Sequence, residues 1–175
     1  MKKTVLMIVD VQNALVNENP YELQTLLGSI KQLAENARRN GTDIVYVRHD
    51  DGVGTEFEVG TESWQIHHSI EPREDEKIVD KQFNSAFHKT NLHEYLKAQG
   101  VGRIVLTGMQ TEYCIDATLR SAFDLGYKVI IPKGCHSSFD NDVLKAENLI
   151  DYYERRIWNG RYADVMPLEA VMETL

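Results

Sequence analysis

The sequence predicts an α/β protein built as a three-layer, doubly wound, mostly parallel sheet of about six strands. Three observations predict it. Short apolar runs recur without polar alternation, helical repeats lie between them, and the two kinds of segment alternate along the chain. Val- and Ile-rich runs with no polar face are the pattern of parallel strands covered on both sides. Strand–helix–strand repetition with right-handed crossovers then places helices on both faces of the sheet.

The clear strands are VLMIV (5–9), DIVYV (43–47), RIVLT (103–107) and KVIIP (128–132), with weaker ones at KIVDK (77–81) and YADVM (162–166). A helix is predicted over 21–39, where Leu23, Leu26, Leu27, Ile30, Leu33, Ala34 and Ala37 fall at helical spacing and Gly41 stops it. Others are predicted over 90–99, ending at Gly100; over 113–125, ending at Gly126; and over 142–157, capped by Asp140, Asn141 or Asp142. The segment from Asp50 to Pro72 breaks this rhythm. It is long, carries Trp64, and is read as a functional loop.

The 175 residues predict a single domain, 1–175, and 42% hydrophobic content is enough for a core without disulfides or metals. A net charge of −8 argues against nucleic acid, whose binding rests on clustered Lys and Arg. No run approaches the roughly 18 apolar residues of a membrane span. The opening MKKTVLMIVDVQ is too short an apolar run, interrupted at Asp10, to read as a signal peptide. The chain is therefore read as cytoplasmic, and its two cysteines, Cys114 and Cys135, as unpaired.

In an open α/β sheet, ligands bind beyond the carboxyl ends of the strands. Asp10 follows the first strand, Lys81 ends the KIVDK strand, and Cys114 follows the RIVLT strand. Gly108 allows a tight strand exit, and Thr111 as N-cap would put Cys114 in the first helical turn. There the helix N-terminus and Lys81 are expected to favour a thiolate, with Asp10 able to take the proton. Free N–H groups of that turn could hold an oxyanion. Taken singly, each of these residues has an ordinary alternative, as core, cap or solvated surface. Cys135 has a similar position but no helix starting on it, and is read as core or pocket wall. GVG at 52–54 lacks the third glycine of a dinucleotide fingerprint. Trp64, Phe83, Phe87 and Tyr113 are candidates for the substrate pocket wall, with core packing the alternative for Phe83 and Phe87.

The blocks VLMIVDVQNALV, GTESWQIH, VDKQFNSAFHKTNL and VLTGMQTEYCIDATLRSAFDLGYKVIIPKGCHSSFDND resemble the isochorismatase-like cysteine hydrolases, from about residue 3 to residue 157. The resemblance implies a Rossmann-like sheet, a catalytic triad of Asp10, Lys81 and Cys114, and a cis peptide between Met109 and Gln110 that turns N–H groups, including that of Cys114, toward an oxyanion. It implies hydrolysis of an amide, ureido or carbamoyl C–N bond of a small molecule through an acyl-thioester, without a cofactor, in a homodimer or homotetramer. Members that hydrolyse the vinyl ether of isochorismate do not depend on this cysteine. Cofactor-free hydrolysis of an enol ether is one alternative, and a non-catalytic binding module another. Nicotinamidases of the superfamily hold a metal through Asp-x-His. The matching VRHDDGVGTEFEVG offers His49, Asp50 and Asp51 without that motif, so no metal is expected. The roles of His67, His88 and His136 stay open.

Overall fold

The computed structural model describes residues 2–175. The strands are β1 (Lys3–Val9), β2 (Asp43–His49), β3 (Lys77–Lys81), β4 (Val101–Met109), β5 (Lys128–Pro132), β6 (His136–Ser137) and β7 (Asp164–Met166). The helices are α1 (Asn13–Asn17), α2 (Leu23–Asn40), α3 (Leu92–Ala98), α4 (Asp116–Asp124), α5 (Ala146–Tyr152) and α6 (Leu168–Met172). The strands form a single parallel sheet in the order β3–β2–β1–β4–β5–β7, and β6 pairs with the carboxyl end of β4. The expected six strands are present. β6 is the addition, a two-residue strand too short to leave a sequence pattern.

The side-chain period of two explains why the strand sequences do not alternate in polarity. Val5, Met7 and Val9 of β1 join Leu92 and Leu96 of α3 and Leu119 and Ala122 of α4 on one face. Leu6 and Ile8 join Leu26, Ile30, Leu33 and Ala37 of α2 on the other. Each face is covered, so each must be apolar. A fully buried Leu or Ile of these layers contributes about 1.5–3 kcal/mol relative to exposure.

The helix starts differ from the sequence reading: α3 begins at Leu92 instead of 90, α4 follows a π-helical turn, and two others shift for reasons visible in the backbone. α2 begins at Leu23, because Glu22 takes a left-handed φ of 49°. The helix read from 142, α5, begins at Ala146. Asn141 Oδ1 accepts from the N–H groups of Val143 and Leu144, closing a turn there, and Asp140 Oδ1 reaches forward to accept from the Ala146 N–H. α5 then runs into a π-helical turn, Tyr153–Trp158. Gly41, at φ 69°, closes α2 as expected.

Candidate active site

The strand order reverses between β1 and β4, with β2 and β3 on one side and β5 and β7 on the other. The crevice beyond their carboxyl ends is the topological switch point. Asp10 leaves β1 in a left-handed conformation, φ 53°, with its N–H donating to Val47 O at 2.9 Å. A non-glycine residue rarely holds this conformation unless its surroundings enforce it. Gly108, next to it on β4, has φ 120°, and a Cβ there would run into the Val9 carbonyl oxygen. Only glycine lets the two strand ends approach so closely. The Met109–Gln110 peptide that follows is cis.

Thr111–Ile115 then forms a π-helical turn leading into α4, and it carries Cys114. Thr111 does not cap it. Its hydroxyl is buried, donates to Ser137 O at 3.1 Å and meets His136 Nδ1 at 2.9 Å. The Gln110 carbonyl accepts from the N–H groups of Tyr113 and Ile115, the two neighbours of the Cys114 N–H.

Asp10, Lys81 and Cys114 meet at one buried point. Lys81 Nζ lies 2.7 Å from Asp10 Oδ2 and 3.2 Å from Cys114 Sγ. Asp10 is 1% exposed, Lys81 2% and Cys114 9%. Lys81 comes from β3, two strands from β1, and its long side chain reaches across the end of β2. Asp10 Oδ1 is buried with no hydrogen-bond partner. The Oδ2 atom is also without a well-aligned hydrogen bond by strict geometry, but its 2.7 Å approach to the ammonium is a close ionic contact.

The thiol departs from the expectation of a low pKa. Burial, and then the negative charge of Asp10, push Cys114 up from 9.0 to about 12, and Lys81 offsets only part of this. Both causes favour the protonated thiol at Cys114. Cys135 is likewise pushed up to about 12 by burial, but it sits in the core under α2.

The other candidates are placed unevenly. Phe83 is 40% exposed and lines a cleft with Lys81, Gln82, Asp50 and His88, its ring meeting His88 edge-on. Tyr113 is exposed beside Cys114. Trp64 is buried, with the Arg48 guanidinium 3.7 Å from its ring centroid. Phe87 instead stacks on Tyr127 and packs against the core. His136 is buried between Thr111 and Glu154 Oε1, behind the π turn. His67 bonds Ser69 within its own loop.

Three further residues build the site. Gln12, fully buried, donates to His49 O and Trp64 O and accepts from His49 N–H, tying the long loop to β2. Asn84 Oδ1 stands 3.9 Å from Cys114 Sγ. His49 Nδ1 lies 2.8 Å from Lys81 Nζ. Asn84 gives no signal at the sequence level, being an ordinary loop residue. Gln12 and His49 do give one, since each lies at or just past a strand end, where side chains converge.

Among the described residues, Asp10, His49 and Cys114 offer atoms within 4.8 Å of one another, close enough to share a metal ion. The Lys81 ammonium stands among those groups, within 3.2 Å or less of each. The set therefore forms a cage for an ammonium, and a divalent cation would have to displace it.

A family model described as the isochorismatase domain matches residues 4–154. Streptothricin hydrolase of Streptomyces noursei is 33% identical over 137 residues, covering 77% of this chain and 50% of that protein. Maleamate amidohydrolase of Pseudomonas putida is 33% identical over 107 residues, covering 61% of this chain and 47% of that protein. The chain thus spans about half the length of these two relatives. A crystal structure described as an isochorismatase family protein superposes with a TM-score of 0.87 at 31% identity, covering 95% of this chain and 99% of that one.

Proposed function

The chain belongs to the isochorismatase family and is a hydrolase, and on that premise we propose that it cleaves a C–N bond of a small molecule through an acyl-thioester on Cys114. The amide, ureido and carbamoyl groups are the candidate targets. The observation that carries this reading is the meeting of Asp10, Lys81 and Cys114 at one buried point, with Asp10 Oδ1 unpartnered. The similarity to an amidohydrolase of maleamate supports a C–N target.

A thiol pushed up to about 12 is not a standing nucleophile, so proton transfer accompanies attack. Cys114 Sγ bonds to the carbonyl carbon while its proton passes to Asp10. The carbonyl electrons move to oxygen, and N–H groups of the Thr111–Ile115 turn, that of Cys114 among them, meet the oxyanion. Asp10 returns the proton to the leaving nitrogen, the C–N bond breaks, and an amine or ammonia departs. Water then gives its proton to Asp10 and attacks the thioester. The C–S bond breaks, the acid leaves, and the sulfur recovers its proton. Lys81 remains an ammonium throughout and balances the charge that shuttles between sulfur and carboxylate. Phe83 and Tyr113 at the mouth, and Trp64 behind the loop, are proposed to shape the substrate pocket.

The test is a panel of small amides, ureides and carbamoyl compounds with Cys114→Ala and Asp10→Asn. Loss of turnover by at least about a hundredfold in both folded variants is expected. Turnover of an enol ether, added to that panel, that survives Cys114→Ala but not Asp10→Asn would move the reaction to acid–base hydrolysis of that ether. No helix among the described residues is long and apolar enough to cross a membrane. A cytoplasmic homodimer or homotetramer completes the reading, and sedimentation showing a monomer would overturn the oligomer.

A further inference from the structure

The proposed reaction leaves one contact of Lys81 without a role. An ammonium has three N–H donors and no acceptor. Of its three close contacts here, one is ionic, with Asp10 Oδ2 at 2.7 Å, and one faces Cys114 Sγ at 3.2 Å. The third faces His49 Nδ1 at 2.8 Å. Sheet register sets this contact, because β2 and β3 pair in parallel with His49 opposite Lys81, each the last residue of its strand. Paired residues project to the same side at the same height.

Because Lys81 only donates, Nδ1 must accept, and the imidazole proton must sit on Nε2. That N–H has its own acceptor, Asp51 Oδ1, at 2.8 Å. Phe57 closes against the ring edge-on. The His49 backbone is fixed at both its N–H and its C=O by the buried Gln12 amide. The charged groups facing this pair are Asp10 after β1, Asp50 and Asp51 after β2, and the Lys81 ammonium itself.

We propose that His49, held in one tautomer by Asp51, is a positioning residue for Lys81: its Nδ1 accepts a hydrogen bond from the third ammonium N–H and so keeps Nζ charged and aimed between Asp10 and Cys114. The inference rests on the reading of Cys114 as nucleophile. Its physical reason is that the Lys81 side chain is fully buried. Without His49 its third N–H would be left unmade out of reach of solvent, which disfavours the charged form. A neutral Lys81 would no longer offset any of the rise in the Cys114 pKa. The link runs Asp51–His49–Lys81, with Asp10 and Cys114 as the two ends that the lysine serves.

Two measurements test it on the intact chain. A long-range ¹H–¹⁵N correlation spectrum, with His49 assigned by its loss in His49→Asn, is expected to show the Nε2-protonated neutral ring. An Nδ1-protonated ring would overturn the proposal. The second is the rate at which iodoacetamide alkylates Cys114 at about pH 8.5, near the ordinary thiol pKa, with Cys135 as the internal control. His49→Leu removes the acceptor and is expected to slow alkylation roughly tenfold or more. His49→Asn can supply an amide oxygen near the position of Nδ1 and is expected to stay within about threefold of wild type. A residue that merely fills space would give the reverse order, and that result would overturn the proposal. Should His49→Leu not fold, Asp51→Ala at its half-exposed position carries the test, and an unchanged tautomer and rate would overturn it. Failure of the nucleophile reading shows separately, as alkylation that ignores Lys81→Ala. Failure of this inference shows as a rate that responds to Lys81→Ala but not to His49→Leu.

Discussion

Cys114 and Cys135 carry the same raised pKa and differ only in their neighbours. Burial dominates both, but Cys114 also faces the Asp10 carboxylate and the Lys81 ammonium, which act on it in opposite directions. This gives Asp10→Asn two effects of opposite sign. Removing the carboxylate charge lowers the Cys114 pKa, so iodoacetamide at about pH 8.5 should modify Cys114 faster than in wild type. Hydrolysis should nevertheless fall by at least about a hundredfold, because no group is left to accept the proton. A variant slowed in both assays would contradict the role given to Asp10. Lys81→Ala should slow alkylation, since the one neighbour that lowers the thiol pKa is gone. Gly108 is the most constrained residue nearby. Gly108→Ala should destabilise the fold by about 3 kcal/mol or more, measured by urea denaturation, because φ of 120° and the Val9 carbonyl both exclude a side chain. The residues of the site could be named from the sequence because strand ends deliver side chains to one edge. The direction of the thiol shift could not be, because it depends on burial and on a carboxylate about a hundred positions away in the chain.

The π turn Thr111–Ile115 is the element on which Cys114 depends. It is held from behind by Thr111, whose hydroxyl satisfies both Ser137 O of β6 and His136 Nδ1. His136 in turn meets the buried Glu154. Thr111→Val keeps the shape and removes the hydroxyl, leaving two buried polar partners unmade, and a loss of about 1–3 kcal/mol is expected. Because the turn presents the proposed nucleophile, kcat should fall more than KM rises, and kinetics on any turned-over amide would show it. The helix over this segment was legible as an apolar repeat ending at Gly126. Its opening as a π turn, and the use of Thr111 as a tether instead of a cap, were not. They arise because β6 lies against the end of β4 and offers the Thr111 hydroxyl nearer partners than its own helix. The late start of α5 has the same kind of cause, Asn141 bonding its own following N–H groups before the helix begins.

The whole molecule should lose stability at alkaline pH. In the folded chain Cys114 and Cys135 are raised from 9.0 to about 12, and Tyr46 from 10.0 to about 12, each chiefly by burial. The native state then keeps protons that the unfolded chain gives up, so these groups' contribution is intact below about pH 9 and is lost as pH rises through about 12. Urea midpoints should fall across that window, and Cys135→Ala should flatten the fall even though it lowers stability by leaving a small void. A midpoint independent of pH there would contradict the burial of these groups. At this scale the sequence by itself determined the architecture. Apolar runs too uniform to have a wet face require a sheet covered on both sides, and the intervening helical repeats supply the cover. It also determined that Asp10, Lys81 and Cys114 share one edge, since each follows or ends a parallel strand. The tertiary structure alone decided what lies between them. Strand order and register bring His49 beside Lys81, Gln12 closes the long loop, and burial sets the thiol's protonation. Each of these depends on distances between residues remote in the chain, which the periodicity of a sequence does not encode.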